Sequence, residues 1–252
     1  ISKPNLCLPN ATTFLLKLFL EGADQLRQTS GDDRRVISGI IHVLKSGCRW
    51  VDAPELYGPR KTLFNRFVRW SEEGIWEELF NALASADGPP AHIMIDSSAV
   101  KAIVVLLAVK GEKTQAIGRS RGGRTTKIHT LTDAACRPLG FLLTGGQVAD
   151  CSAAKLLLGK LPECRMLHAD KAYDSDAIRK QIEELSAVPN IPPKANRKWK
   201  NCFSPVLYKD HNAIERMFCR IKDFRRIATR YDRKAKNFLS ALCLVAAICY
   251  WL

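Results

Sequence analysis

Two aspartates stand at the ends of short apolar segments. Asp96 closes the segment 92–96, and Asp170 follows the segment 165–169. Apolar runs of this length are consistent with buried strands, and parallel strands of an open sheet bring their carboxyl ends to one edge. Two carboxylates that meet there repel each other unless a cation lies between them, and oxygen ligands of this kind suit Mg²⁺. The pair is more specific than either aspartate alone, since a single aspartate at a strand end is commonly structural.

A third carboxylate, Glu215, lies in a segment with helical spacing. His211 precedes it by one turn and Lys222 follows it by two turns, so the three side chains share one helix face. A surface glutamate paired with neighbouring arginines is the alternative interpretation. Asp174 and Asp176 compete as metal ligands, but a turn and the first turn of a helix explain them more simply.

Basic residues surround these carboxylates in the sequence. Residues 194–236 contain 14 Lys and Arg against 4 Asp and Glu. The aromatic residues Trp199, Phe203, Tyr208 and Tyr231 are interleaved with these cations, which permits both base stacking and phosphate contact. A second basic stretch, 117–127, contains glycines that let backbone N–H groups approach phosphates. Its alternative interpretation is a flexible basic loop.

The whole chain carries the same bias. Its 252 residues include 39 Lys and Arg against 25 Asp and Glu, a formal net charge of +14. This excess predicts a polyanionic partner. Nucleic acid is the simplest such partner, and an anionic membrane surface is the alternative. The apolar runs 103–109 and 238–252 are too short to span a bilayer, and no secretory signal peptide is recognisable. The first residue is Ile, which suggests a fragment or a processed start.

The nine cysteines are scattered and contain no C-x-x-C pair. This pattern favours a reduced cytosolic protein over a disulfide framework.

Hydrophobic periodicity predicts two regions of different kinds. Helices are expected over 32–47, 58–74 and 75–83, before a break at Gly88-Pro89-Pro90. The second of these helices presents a basic face, which is either a solvated surface or a DNA-docking face. After the break the pattern predicts, in order, a strand, a hairpin over 125–132 and 139–144, and a helix over 152–159. A strand at 165–169, a helix at 175–185, a strand at 188–191, a basic loop and a helix follow. An α/β or α+β fold with helices on the faces of a sheet fits this order.

Ordered matches over about residues 31–252 resemble the DDE transposases of bacterial insertion sequences, specifically the IS-5 family of the IS-4-like superfamily. The matching stretches are 32–36, 47–50, 57–59, 67–70, 95–98, 118–129, 143–146, 168–175, 192–194, 212–218 and 230–232.

The resemblance implies a ribonuclease H-like mixed sheet flanked by helices. It divides the chain into a helical, DNA-binding region over 1–90 and a catalytic domain over 91–252. The family's catalytic and metal-binding trio falls on Asp96, Asp170 and Glu215, which would hold two Mg²⁺ ions, with Mn²⁺ as a substitute. The residues expected to contact DNA are Arg119, Arg121, Arg124, Lys127, Tyr208, His211, Lys222, Arg225 and Arg226.

The implied activity is metal-dependent cleavage and strand transfer of an insertion sequence. Its partners would be double-stranded transposon ends and target DNA, bound by a homodimer or larger assembly in the bacterial cytoplasm at the nucleoid, with no membrane partner. Three departures stand against the family pattern: His211 replaces an Arg, residues 103–109 are apolar where a polar loop is usual, and residues 6–30 are atypical. They motivate two alternatives, a degenerate transposase that binds DNA without full activity, and a non-transposing nuclease of the same fold.

Overall fold

The computed structural model describes residues 33–103 and 115–252. By contacts these residues form two compact units, one made of 33–83 with 221–252 and the other of 84–220. The sequence prediction ends its helical region at 90 and assigns 221–252 to the catalytic domain, whereas the contacts group 221–252 with the helical residues. The functional assignment of the two regions stays a prediction.

The described residues contain the following elements in chain order. The helices are α1 (Asp33–Ser46), α2 (Arg60–Glu73), α3 (Ile75–Ser85), α4 (Asp150–Leu158), α5 (Asp176–Glu184), α6 (Pro205–Tyr208), α7 (Asn212–Lys222), α8 (Arg225–Ala228) and α9 (Ala235–Tyr250). The strands are β1 (His92–Ala102), β2 (Gly118–Ser120), β3 (Gly123–Asp133), β4 (Pro138–Gly145), β5 (Met166–Ala169), β6 (Val188–Asn190) and β7 (Thr229–Arg230).

The helical unit forms because α1 and α2 each bury one apolar face. The three helices predicted before residue 88 are confirmed to within two residues at each end. Helix α2 ends at Gly74, which adopts φ +84° and donates its N–H to Trp70 and Ser71 carbonyls, a conformation that glycine adopts without strain. The predicted basic face of α2 is only partly exposed, because Arg66 pairs with Asp33 at 2.8 Å.

The second unit is built on a mixed sheet. Strand β1 is antiparallel to β3 and parallel to β5; β3 also pairs antiparallel with β2 and β4, and β5 is parallel to β6. Without the short β2, the spatial order is β4-β3-β1-β5-β6. An antiparallel meander followed by two parallel strands is the arrangement that the ribonuclease H-like prediction requires, and the predicted mixed sheet flanked by helices is confirmed.

Helices α4 and α5 contribute to one hydrophobic core with the sheet. This core includes Leu157 of α4, Ile178 and Ile182 of α5, and Ile93 and Leu167 of the strands. Helix α7 buries Ile214, Met217 and Phe218 completely or nearly so. The core therefore fixes the edge of the sheet at which β1 and β5 end their pairing.

Other sequence expectations have mixed outcomes. The unusual residues 6–30 and most of the apolar run 103–109 lie outside the described residues. Each cysteine within the described residues is a free thiol. No helix of this part of the chain has the length and apolarity needed to cross a bilayer.

Candidate active site

The two predicted aspartates occupy neighbouring positions on adjacent strands. Ile95 of β1 pairs with Ala169 of β5 in parallel register, so Asp96 and Asp170 are the residues that directly follow this pair. Asp170 also caps the short turn that follows β5, because its Oδ1 accepts a hydrogen bond of 2.8 Å from the N–H of Ala172. Both aspartates are half-buried. Strand pairing thus brings together two carboxylates that are 74 positions apart in the sequence.

Glu215 lies in the first turn of α7 and is exposed. Burial raises the pKa of Asp96 to about 6. This value includes a hydrogen bond from the Ser97 backbone, which opposes the rise, and the negative charges of Asp170, Asp150 and Glu215, which contribute to it. The three predicted carboxylates therefore lie within electrostatic reach of one another, together with a fourth, Asp150, that sequence reasoning missed.

These carboxylates have the right chemistry for a hard divalent cation but are not assembled as a closed cage. Among residues 33–103 and 115–252, no three His, Cys, Asp or Glu side chains stand together in a group that could hold a metal ion. Mg²⁺ is commonly bound by one or two carboxylates, several waters and substrate phosphates. Burial raises the pKa of Asp96 most, and the repulsion by neighbouring carboxylates that adds to it is relieved by a bound cation. The donor set therefore fits Mg²⁺ or Mn²⁺ held partly by the substrate.

Tyr208 and His211 precede α7 and stack on each other, with ring centroids 5.0 Å apart and planes 11° from parallel. Burial, followed by the charges of Asp170, Asp96 and Glu215, raises the pKa of Tyr208 to about 12. Burial lowers the pKa of His211, although Asp170 and Glu215 oppose that shift. Both residues thus lie within electrostatic reach of the carboxylates, and the lowered pKa keeps His211 neutral at neutral pH.

The predicted DNA-contacting cations differ in their availability. Arg119 and Arg121 are exposed at the β2–β3 hairpin, and β3 begins directly after its turn at Gly123, with φ +96°. Arg225 is exposed, whereas Arg124 and Lys222 are half-buried.

Two of the predicted cations are engaged inside the protein. Arg226 is 5% exposed and donates a 2.8 Å hydrogen bond to the Cys48 carbonyl, with its guanidinium over the rings of Trp50 and Tyr231. Lys127 donates to the Asp150 carboxylate and to the Val148 carbonyl, each at 3.0 Å. Both side chains thus already have partners within the protein, and DNA binding by Arg226 and Lys127 stays a prediction.

The competing ligands Asp174 and Asp176 are committed elsewhere. Asp174 is fully buried and pairs with Arg179 at 2.9 Å and with Arg197 at 2.6 Å. Arg197 also binds Asp176 at 2.6 Å. Asp174 thus anchors the basic segment between β6 and α6, which carries Trp199 with 81% of its surface exposed. Asp174 is thus occupied by two arginines, and Asp176 shares one of them.

Two protein-family models match the sequence of this chain. Residues 87–252 match the family model described as the transposase DDE domain, and residues 14–80 match the model of transposases of the IS4/5 family. The chain belongs to the DDE transposase family. This match confirms the family predicted from the sequence. Membership in this family makes the chain a DNA-cleaving transposase.

Two curated relatives are assigned as transposases for insertion sequence elements. A Brucella ovis protein assigned as a transposase for insertion sequence element IS6501 is 35% identical over 129 residues, which are 51% of this chain and 98% of the relative. A Burkholderia cepacia protein assigned as a transposase for element IS402 is 28% identical over 144 residues, or 53% of this chain and 65% of the relative. The chain therefore matches just under two thirds of the length of the second relative.

Solved transposase structures are similar at much lower identity. A synaptic complex of piggyBac transposase with hairpin DNA has 12% identity and a TM-score of 0.49, with 99% of this chain and 68% of that chain covered. A paired-end complex of Mos1 transposase has 11% identity and a TM-score of 0.31, with 98% and 78% covered. The family assignment rests on the sequence matches.

Sequence reasoning missed Asp150 in this transposase. Asp150 is the first residue of α4, where an acidic residue is usually explained by the helix dipole. Its partners Ser97 and Lys127 are 53 and 23 residues away, so only the fold reveals their contact.

Proposed function

We propose that this transposase cuts DNA at the ends of an insertion sequence and joins them to a target by metal-dependent phosphoryl transfer at Asp96, Asp170 and Glu215. The observation that carries this proposal is the parallel register of β1 and β5, which makes Asp96 and Asp170 neighbours. Glu215 adds its charge to the same site. Three carboxylates in mutual reach suit the binding of divalent cations next to a phosphodiester.

In this proposal the side chains hold and orient the reactants. Asp96, Asp170 and Glu215 would bind two Mg²⁺ ions, or Mn²⁺ in their place. When bound, such ions stabilise the charge that develops on the phosphate and lower the pKa of the attacking water or 3′-hydroxyl. Because the pKa of Asp96 is raised to about 6, protons compete for this carboxylate below that pH. The phenol of Tyr208 would donate a hydrogen bond to a DNA phosphate beside the site.

The DNA would be held mainly by exposed cations. We assign this role to Arg119 and Arg121 of the hairpin and to Arg225, with Arg124 and Lys222 as further phosphate contacts. The net charge of +14 supports double-stranded DNA as the partner. Since two transposon ends must be brought together, a homodimer or larger assembly is part of the proposal, as is a location at the bacterial nucleoid in the cytoplasm.

One observation favours a second candidate, a degenerate transposase that binds DNA without completing the reaction. His211 stands where the family has an arginine, and burial lowers its pKa. A neutral imidazole cannot replace the permanent charge and two-pronged phosphate contact of an arginine.

A cleavage assay distinguishes these candidates. A labelled terminal inverted repeat is incubated with the full chain and Mg²⁺, with and without EDTA, beside Asp96→Asn and Glu215→Gln. Glu163→Gln, an exposed carboxylate outside the site, is the matched control. Metal-dependent cutting and joining that both site variants abolish supports the proposal. Binding without cutting indicates the degenerate protein, and cutting without joining indicates a nuclease.

A further inference from the structure

A polar cluster tethers β1 to α4 directly beside Asp96. The Asp150 carboxylate accepts a 2.7 Å hydrogen bond from the Ser97 hydroxyl and a 3.0 Å hydrogen bond from the Lys127 ammonium. Lys127 also donates to the Val148 carbonyl, so it joins β3 to the segment that enters α4. Asp150 and Lys127 are 24% and 19% exposed, which places their ion pair well out of bulk water. Charge-assisted hydrogen bonds in such surroundings hold geometry strongly.

The register of the sheet places this cluster on the face opposite Asp96. Ser97 pairs with His129, and Ala99 pairs with Lys127. Paired residues point to the same face, and successive residues along a strand point to opposite faces. Ser97, His129 and Lys127 therefore share the face on which α4 packs, and Asp96 points the other way. The cluster supports β1 from behind the carboxylate.

β1 loses its β5 neighbour at this point, although its antiparallel pairing with β3 continues to Lys101. The last parallel pair is Ile95 with Ala169, one residue before Asp96. Ser97 is the second position beyond that pair, and its hydroxyl takes over as a tie between β1 and the helical layer. A tie here adds to the pairing with β3 on the far side of Asp96, while β5 and β3 together restrict the near side.

We propose that Asp150 is a positioning residue for Asp96: through Ser97 it sets the course of β1 and hence the place of the Asp96 carboxylate. The inference rests on the proposed function, because it presumes that Asp96 binds metal. Misplacement of a reacting group by about 1 Å can cost about a hundredfold in rate. Loss of the tie should therefore weaken metal binding and slow cleavage while the fold and the DNA affinity persist.

Three substitutions isolate the tie. Ser97→Ala removes the donor, and Ser97→Thr keeps a hydroxyl on a residue that favours strands. Asp150→Asn keeps an oxygen that can accept from Ser97 but removes the charge that holds Lys127. Ser152→Ala is the matched control for Ser97→Ala, because Ser152 is an exposed serine on α4, the helix that carries Asp150. Glu163→Gln is the control for the loss of a carboxylate charge.

The measurements are Mn²⁺ binding to the full chain by titration calorimetry, single-turnover cleavage, DNA affinity and thermal unfolding. We expect Ser97→Ala to weaken Mn²⁺ binding and slow cleavage about tenfold to a hundredfold, with DNA affinity and melting temperature close to those of the parent. Ser97→Thr should restore both, and Asp150→Asn should show a smaller loss. In the double variant Ser97→Ala/Asp150→Asn the losses should not add, because the two residues share one bond.

The inference is overturned if Ser97→Ala binds Mn²⁺ as the parent does, or if its loss follows only the loss of folded protein. It is also overturned if Ser97→Thr fails to restore metal binding. Asp96→Asn separates the inference from the proposed function. If Asp96→Asn leaves Mn²⁺ binding unchanged, the proposed function fails; if it abolishes binding while Ser97→Ala has no effect, only the inference fails.

Discussion

Hydrogen bonds around His168 determine its tautomer. The N–H of Ser204 donates to Asn190 Oδ1 at 2.8 Å, which turns Asn190 Nδ2 toward His168 Nδ1 at 3.0 Å. His168 Nδ1 therefore accepts, and its Nε2–H donates to His92 Nδ1 at 3.2 Å. Burial, with a smaller effect of His92, lowers the pKa of His168 to about 4. The side chain is a neutral link between three parallel strands.

This neutral histidine predicts acid sensitivity of the fold. As pH falls from about 6.5 to about 4, the unfolded chain binds a proton at His168 that the folded chain rejects. The free energy of unfolding should fall by about 3 kcal/mol across that window, at about 1.4 kcal/mol per pKa unit. Denaturant unfolding at several pH values measures this, and His168→Gln should flatten the pH dependence. An equal slope in parent and variant would contradict the prediction.

His211 offers a residue-scale test of catalytic competence. Its burial and its stacking on Tyr208 leave a neutral ring where the family has a guanidinium. His211→Arg should add a charged donor next to the carboxylates and raise the rate of strand transfer relative to the parent. Strand transfer is measured with pre-cut ends, so that cleavage does not limit the rate. If the parent already joins ends as fast as His211→Arg, the substitution of the family arginine is harmless.

At the scale of elements, the segment between β6 and α6 depends on one buried carboxylate. Burial alone would raise the pKa of Asp174, but hydrogen bonds from Arg197, the Lys194 N–H and Arg179 lower it overall. The ionised carboxylate thus organises a strand end, a helix start and the basic segment that follows.

Asp174→Asn should destabilise the protein by about 3–5 kcal/mol, because it leaves Arg179 buried without its partner charge. Asp176→Asn is the matched control: its side chain is 87% exposed, it shares Arg197 as a partner, and its loss should cost less than about 1 kcal/mol. Chemical denaturation measures both changes. Equal effects of the two substitutions would show that Asp174 has no special structural role.

We expect alanine substitutions in the β2–β3 hairpin to impair DNA binding and an alanine substitution of Arg226 in α8 to impair stability. Arg119→Ala and Arg121→Ala should each reduce the slope of log K against log salt for DNA binding by about one, because each exposed cation releases about one counterion. Arg226→Ala should leave that slope unchanged and lower the melting temperature, because Arg226 is buried against Trp50 and Tyr231. A reduced slope with Arg226→Ala, or none with the hairpin variants, would locate the DNA elsewhere.

Several elements could be predicted from the sequence because their apolar spacing is regular. Helices α1 and α2 have clear start and stop residues, and β5 is a short apolar run. The continuation of β1 beyond Asp96 was not predicted, because Ser97 and Ser98 carry no strand pattern. The contacts of Asp150, Arg226 and Lys127 could not be predicted either, because each depends on residues that only the fold brings close.

At the scale of the whole molecule, charge and family membership point to assembly on DNA. A single chain offers one set of Asp96, Asp170 and Glu215, while an insertion sequence has two ends. We expect end DNA to assemble two chains with two ends, whereas DNA of unrelated sequence binds through non-specific phosphate contacts. Sedimentation velocity at matched salt distinguishes these states. One chain per end at saturating protein would contradict this prediction.

Trp199 gives this transposase a built-in optical reporter. The other four tryptophans, Trp50, Trp70, Trp76 and Trp251, are buried or half-buried, so a soluble collisional quencher reaches mainly the indole of Trp199. Because Lys198 and Lys200 flank it, a polyanion that covers the segment should shield the indole. Quenching of the native chain would therefore follow the occupancy of a single loop without any dye or label.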